Sequence, residues 1–115
     1  MDRRLEALDL NLLLALHWLL TEENVTAAAG RMGLSQPAAS RALGKLRETF
    51  GDPLLVKSGS SMAITPTGEA LRPVVAHAID RCRDVLRAVE PFDARAARGR
   101  FRIACTDYIG AMNRA

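Results

Sequence analysis

Three residues, Gly33-Leu34-Ser35, separate two stretches whose caps and spacing demand helix, and so short a gap leaves few ways to arrange them. Upstream, Asn24 is placed to cap VTAAAGRM, and Gly33 suits the left-handed position after its last turn. Downstream lies QPAASRALGKLRETF, residues 36–50, whose early proline decides where that helix begins. Pro37 would cost about 3 kcal/mol in a helix interior but little in the first turn, where backbone N–H groups lack intrahelical partners. Ser35 is therefore the expected N-cap. Two helices joined by a three-residue turn containing glycine form a helix-turn-helix, and Ala28 and Ala29 are small enough for the close approach it needs.

At about 100° per residue, Ala39, Ala42, Leu43, Leu46 and Phe50 fall on one side of the second helix, an apolar stripe of burial width. The opposite side carries Gln36, Pro37, Ser40, Arg41, Gly44, Lys45, Arg47 and Glu48. Burial explains the first face; the second needs a partner or simply water. Gly44 costs about 1 kcal/mol relative to alanine in mid-helix. It either admits a close backbone approach or is merely tolerated, and the second reading is favoured.

Gly51, Asp52 and Pro53 stop the helix. Two short extended pieces, LLV at 54–56 and MAI at 62–64, joined by Lys57, Ser58, Gly59, Ser60 and Ser61, read as a β-hairpin wing. Thr65 and Pro66 then repeat the cap-plus-proline start. From there Leu71, Val75, Ala78, Cys82, Val85 and Val89 recur at alternating steps of four and three, a coiled-coil seam. A helix over 66–90 is long for so small a domain, so the seam is expected to face a partner, most simply a second copy in a two-fold dimer.

Composition agrees with a small helical fold. Of 115 residues, 49% are hydrophobic but only 4% aromatic, so the core must be built from Leu, Val and Ala. A net charge of +3 permits a polyanionic partner without demanding one. The segment ALDLNLLLALHWLL, residues 7–20, is too continuously apolar for a single stripe and implies a helix touching neighbours on several sides, with His17 and Trp18 as packing residues. Thr21, Glu22 and Glu23 follow as a polar link. The apolar run from Leu8 to Leu20 is too short to span a bilayer. Cys82 and Cys105 offer no CxxC and no metal set, and read as reduced thiols of a cytoplasmic protein.

After Pro91 the arginines at 95, 98, 100 and 102 are spread among small residues, which reads as a hinge over 91–100. FRIACTDYIG alternates as a strand does, with too little chain after it to pair. The chain is thus expected to stop just inside a second domain. The domain reading is a winged helix-turn-helix unit over 1–65, with its motif at about 25–44 and its wing at about 54–64. A linker helix at 66–90, the hinge, and a first strand at 101–115 follow it.

NVTAAA, GLSQPAASRALGKLRETFG, DPLLVKSG and ITPTGEAL, taken together with FRIACTDY, resemble the N-terminal part of a LysR-type transcriptional regulator over residues 7 to about 106. The resemblance implies a mainly α fold and a bacterial repressor or activator. It also implies a dimer or dimer of dimers that binds an interrupted palindrome in double-stranded DNA. A small-molecule effector would bind only in the missing domain; no cofactor, metal or membrane is expected.

In a helix-turn-helix the N-terminal residues of the second helix meet base edges in the major groove. Gln36, Pro37, Ser40 and Arg41 are the candidates: Arg41 for guanine, Gln36 for adenine, Pro37 for a thymine methyl. Thr26, Ser35, Lys45 and Arg47 are candidates for the DNA backbone, and Lys57, Ser58 and Ser60 for the groove beside the wing. The wing is poorer in arginine than is usual for the family, and Ala27 stands where a basic residue is common, so a modest salt dependence is expected. The alternative is a winged-helix and coiled-coil protein-interaction module without DNA binding. No nucleophile–base pair or phosphate-cradling loop supports an enzyme.

Overall fold

In the computed structural model, which describes residues 2–88, five helices and one hairpin follow the chain: α1 (Arg3–Ala7), α2 (Leu10–Glu22), α3 (Val25–Met32), α4 (Gln36–Phe50), β1 (Leu55–Ser58), β2 (Ser61–Ile64) and α5 (Pro66–Ala88). A first compact unit ends at Asp80, within α5, and Arg81 opens a second. Val89, the hinge, Cys105 and the expected strand at 101–115 lie outside the described residues.

The caps explain most boundaries. Asn24 Oδ1 accepts from Ala27 N at 2.7 Å and Ser35 Oγ from Ala38 N at 3.2 Å, each satisfying a helix-start N–H that has no partner in its own helix. Gly33, at φ 67°, closes α3: its own N–H and that of Leu34 donate to the carbonyls of Gly30 and Ala29, at 3.4 and 3.0 Å. The expected single helix from residue 7 is corrected. Asp9 caps at that point, its Oδ1 accepting from Leu12 N at 2.9 Å, so α2 starts at Leu10 and the preceding turn becomes a separate α1. Thr21 and Glu22 belong to α2, and only Glu23, left-handed at φ 52°, remains of the expected link.

The wing strands are longer than expected and their link shorter. Leu55 pairs with Ile64 and Ser58 with Ser61, leaving a two-residue turn with Gly59, at φ 63°, in its first position. Leu54 is not part of the strand: it is left-handed at φ 66° and fully buried.

Leu16, Leu19, Leu20, Leu46, Leu54 and Leu55 are the fully buried large side chains, joined in one core by Ala15, Ala28, Leu43, Val75 and Ile79. Burying a leucine contributes about 1.5–3 kcal/mol, so these six dominate the apolar side of folding. Partly buried Leu12, Leu13, Leu14 and Trp18 pack around it, which bears out a helix α2 with several neighbours. His17 and Trp18 meet edge to face at 4.8 Å, and Arg31 of α3 lies 5.1 Å above the Trp18 ring while pairing with Glu22 at 3.1 Å. The second unit contains the last turns of α5, where Asp84 pairs with Arg81 and Arg87 on an exposed surface.

Candidate nucleic-acid interface

Helix α4 is two-faced because of the spacing of its residues. Ala39, Leu43 and Leu46 are at most 3% exposed, while Gln36, Pro37, Ser40, Arg41, Lys45 and Glu48 are all exposed. The four expected base readers therefore sit together on the N-terminal two turns of one solvent-facing side. Glu48 is the one acid among them, about one turn beyond Lys45 and two beyond Arg41. Pro37 lies in the first turn, and the helix dipole adds partial positive charge at that end.

Thr26, in the first turn of α3, is exposed, as are Ser35 in the turn and Lys57, Ser58 and Ser60 on the wing. These positions leave their side chains open to a ligand laid across α4. Leu34, 43% exposed in the turn itself, is an apolar neighbour of this surface that sequence reasoning passed over.

Arg47 is a correction. Its Nε donates to the Pro53 carbonyl at 2.8 Å and its Nη2 to the Leu55 carbonyl at 2.7 Å, so its guanidinium holds the base of the wing rather than reaching outward. The helical wheel assigned it to the polar side, but the chain folds back over that side after Gly51. Only the partner carbonyls, six and eight residues on, reveal its role.

Beside Arg47, Asp52 gathers the same junction. Its Oδ2 accepts from Leu54 N at 2.8 Å and from Thr65 Oγ1 at 2.7 Å. Thr65 Oγ1 in turn accepts from Gly68 N at 3.1 Å, capping α5. The Thr65 hydroxyl and then the Leu54 N–H hold the Asp52 carboxyl below its ordinary range. The signal in the sequence was an aspartate just past a helix-ending glycine, a position from which such side chains bond the backbone two residues on.

The seam of α5 is corrected at two positions, Leu71 and Val75, which pack into the chain's own core. Val75 is 4% exposed and Ile79 7%, both within the chain's own core. Leu71, Ala78 and Cys82 are half-buried, and Val85, at 67% exposed, is free for a partner, as is Val74 at 62%. Two stripes overlap on this helix, one turned inward through Leu71, Val75 and Ile79. Arg72 fastens it there: Nε and Nη2 donate to the Leu20 carbonyl at 3.1 and 2.8 Å, and Nη2 also pairs with Glu23.

No group of metal-ligating side chains occurs among the described residues, and no described helix is long and apolar enough to cross a membrane.

Residues 10–69, from the start of α2 through the first turn of α5, match the family model of the bacterial regulatory helix-turn-helix proteins of the lysR family. Nodulation protein D 2 of Rhizobium tropici is 42% identical over 106 residues, covering 92% of this chain and 34% of its own length. The chain thus spans about a third of the length of the curated relatives it matches. Among solved structures, a probable transcriptional regulator from Pseudomonas aeruginosa superposes with a TM-score of 0.68 and 38% identity, over 76% of this chain and 29% of the other. Vibrio fischeri DarR in complex with DNA superposes with a TM-score of 0.62, over 69% of this chain and 27% of the other; at 23% identity it bears on the fold. By sequence and by fold, the chain belongs to the lysR family of bacterial regulatory helix-turn-helix proteins.

Proposed function

We propose that the chain is the DNA-reading part of a LysR-type transcriptional regulator, which binds an interrupted palindrome in duplex DNA as a dimer or dimer of dimers. One observation carries the reading: the polar residues at the start of α4 are exposed together while the other side of the helix is sealed into the core. Nothing in folding requires Gln36, Ser40 and Arg41 to share that face. A helix offered in this way fits the major groove, which is about 12 Å wide.

In this mechanism Arg41 donates bidentately to guanine O6 and N7, Gln36 pairs with adenine, Pro37 contacts a thymine methyl and Ser40 bonds a neighbouring base. Thr26, Ser35 and Lys45 hold phosphates and set the register, and Lys57, Ser58 and Ser60 bring the wing to the adjacent groove. Val74 and Val85, with half-buried Ala78 and Cys82, supply the apolar surface of α5 for a second copy. Vibrio fischeri DarR, similar in fold, was crystallised with DNA, which supports DNA binding here. The reading gives the chain no catalytic role and places its work in the bacterial cytoplasm.

In vitro selection from random duplexes tests the proposal. The expected product is a two-fold symmetric site with two half-sites at regular spacing. Failure to enrich any sequence, together with binding insensitive to salt, would return the chain to a protein-interaction module.

A further inference from the structure

The bonds around Leu54 form a continuous link from the reading helix to the dimerisation helix. Arg47, on α4, donates to the carbonyls on either side of Leu54. Asp52 accepts from the Leu54 N–H and from the Thr65 hydroxyl. The Leu54 carbonyl accepts from Thr65 N at 2.9 Å, and Thr65 caps α5 through Gly68 N. Gly68 lies so close that an added Cβ would stand 3.1 Å from the Leu54 oxygen. Both polar atoms of the left-handed Leu54 backbone are thereby used, and the two helices bond to neighbouring residues of one short segment: α4 through Arg47 to the Pro53 and Leu55 carbonyls, and the α5 cap Thr65 to Asp52 and the Leu54 carbonyl.

Apolar burial along α5 is non-directional, so the helix angle is set by directional bonds at two points: Arg72 to the Leu20 carbonyl and Glu23, and the junction at Thr65. Hydrogen bonds to a charged carboxylate are directional and fix that angle. The angle matters because α5 is long: its residues 66–80, within the first unit, extend about 23 Å, so a tilt of about 10° at its start moves Asp80 by about 4 Å. That is about one base-pair step on the DNA, at about 3.4 Å each.

We propose that Asp52 is a positioning residue for half-site spacing: through Leu54 and Thr65 it fixes the direction of α5 relative to α4, and so the distance at which two copies read DNA together. The inference rests on the dimeric DNA-reading function proposed above. Asp52 touches no base in it. Its loss leaves each half-site contact intact and frees the spacing between them.

The test uses the 115-residue chain and three duplexes: the site recovered by selection, the same site with its half-sites moved apart by half a helical turn, and a single half-site. The wild-type chain is expected to prefer the selected spacing by at least about tenfold, since half-sites must fall on one face of the helix. Asp52→Ala and Thr65→Val should bind the single half-site within about threefold of wild type and keep a spacing preference of less than about threefold. Thr65→Ser, which retains the hydroxyl, should restore the preference. Leu13→Ala, a core truncation away from the junction, should keep it despite a lower melting temperature. Should Asp52→Ala fail to fold, the Thr65 pair decides alone.

Full spacing preference in the variants overturns the inference, and so does an equal loss on the single half-site, which would mark a merely structural role. A wild-type chain that binds the selected site without spacing preference also overturns it, while leaving base reading intact. A wild-type chain that binds no duplex removes the functional reading as well.

Discussion

Alanine in place of Gly44 and alanine in place of Gly68 should move stability in opposite directions, although both glycines are helical. Around Gly44 nothing lies within 4 Å of an added Cβ. Only the helix preference for alanine then acts, a gain of about 0.8–1.0 kcal/mol, or an increase in melting temperature of about 4–8 °C for a domain of this size. At Gly68 the added Cβ would stand 2.6 Å from Ile64 Cγ1 and 3.1 Å from the Leu54 oxygen. Ile64 is β-branched on a paired strand, and the Leu54 carbonyl is bonded to Thr65 N, so neither gives way easily. Overpacking of this kind costs about 1–3 kcal/mol, against which the alanine preference recovers less than about 1 kcal/mol in the first turn. A net loss of about 1–2 kcal/mol should result. Thermal and urea unfolding followed by circular dichroism read both variants. Gly68→Ala at or above wild-type stability, or Gly44→Ala below it, would show that the space around the added Cβ does not set the sign. The same Gly44→Ala protein also separates the two roles open to that glycine, because unchanged affinity for the selected duplex means the glycine is only tolerated.

Arg47→Ala should lower stability by about 1–3 kcal/mol through its lost carbonyl bonds, yet leave the slope of log affinity against log salt unchanged. Lys45→Ala and Lys57→Ala should do the reverse, each reducing that slope by about 0.9 and altering stability by less than about 0.5 kcal/mol; a reduced slope for Arg47→Ala would restore it to the phosphate contacts. The Asp52 carboxyl lies below its usual 3.8 in the folded chain, so its contribution is complete above that value and is lost as pH falls through the lowered one. The stability advantage of wild type over Asp52→Asn should therefore shrink only below about pH 4, and an advantage constant down to pH about 2 would contradict it. Ser35→Ala should cost about 1 kcal/mol, with most of it recovered by Ser35→Asn, as measured by urea midpoints.

What the sequence discloses and what it conceals divide by distance along the chain. Asn24, Gly33, Ser35 and Gly51 could be placed because a cap bonds atoms two to four residues away, and residue type alone tells which can do so. Asp9 carried the same signal but sat inside an apolar run that hid it. The two faces of α4 followed from helical spacing, and with them the exposed Gln36, Pro37, Ser40 and Arg41. Arg72 was invisible, since its partner carbonyl at Leu20 lies 52 residues earlier. Arg47 was misplaced for the related reason that a wheel shows which side of a helix is polar, not what folds back over it. On α5 the steps of four and three picked out Leu71, Val75, Ala78, Cys82 and Val85, but Ile79 completes a second stripe sharing Leu71 and Val75. Periodicity cannot apportion shared residues between a core and a partner; burial can.

The account turns on the exposed start of α4 reading base edges, and the affinity of Arg41→Ala for the selected duplex and for a random one measures this directly. A loss of about 1–3 kcal/mol on the selected duplex with far less on the random one is the predicted result. Equal losses on both duplexes would show Arg41 holding the DNA backbone only, and would contradict base reading by this face.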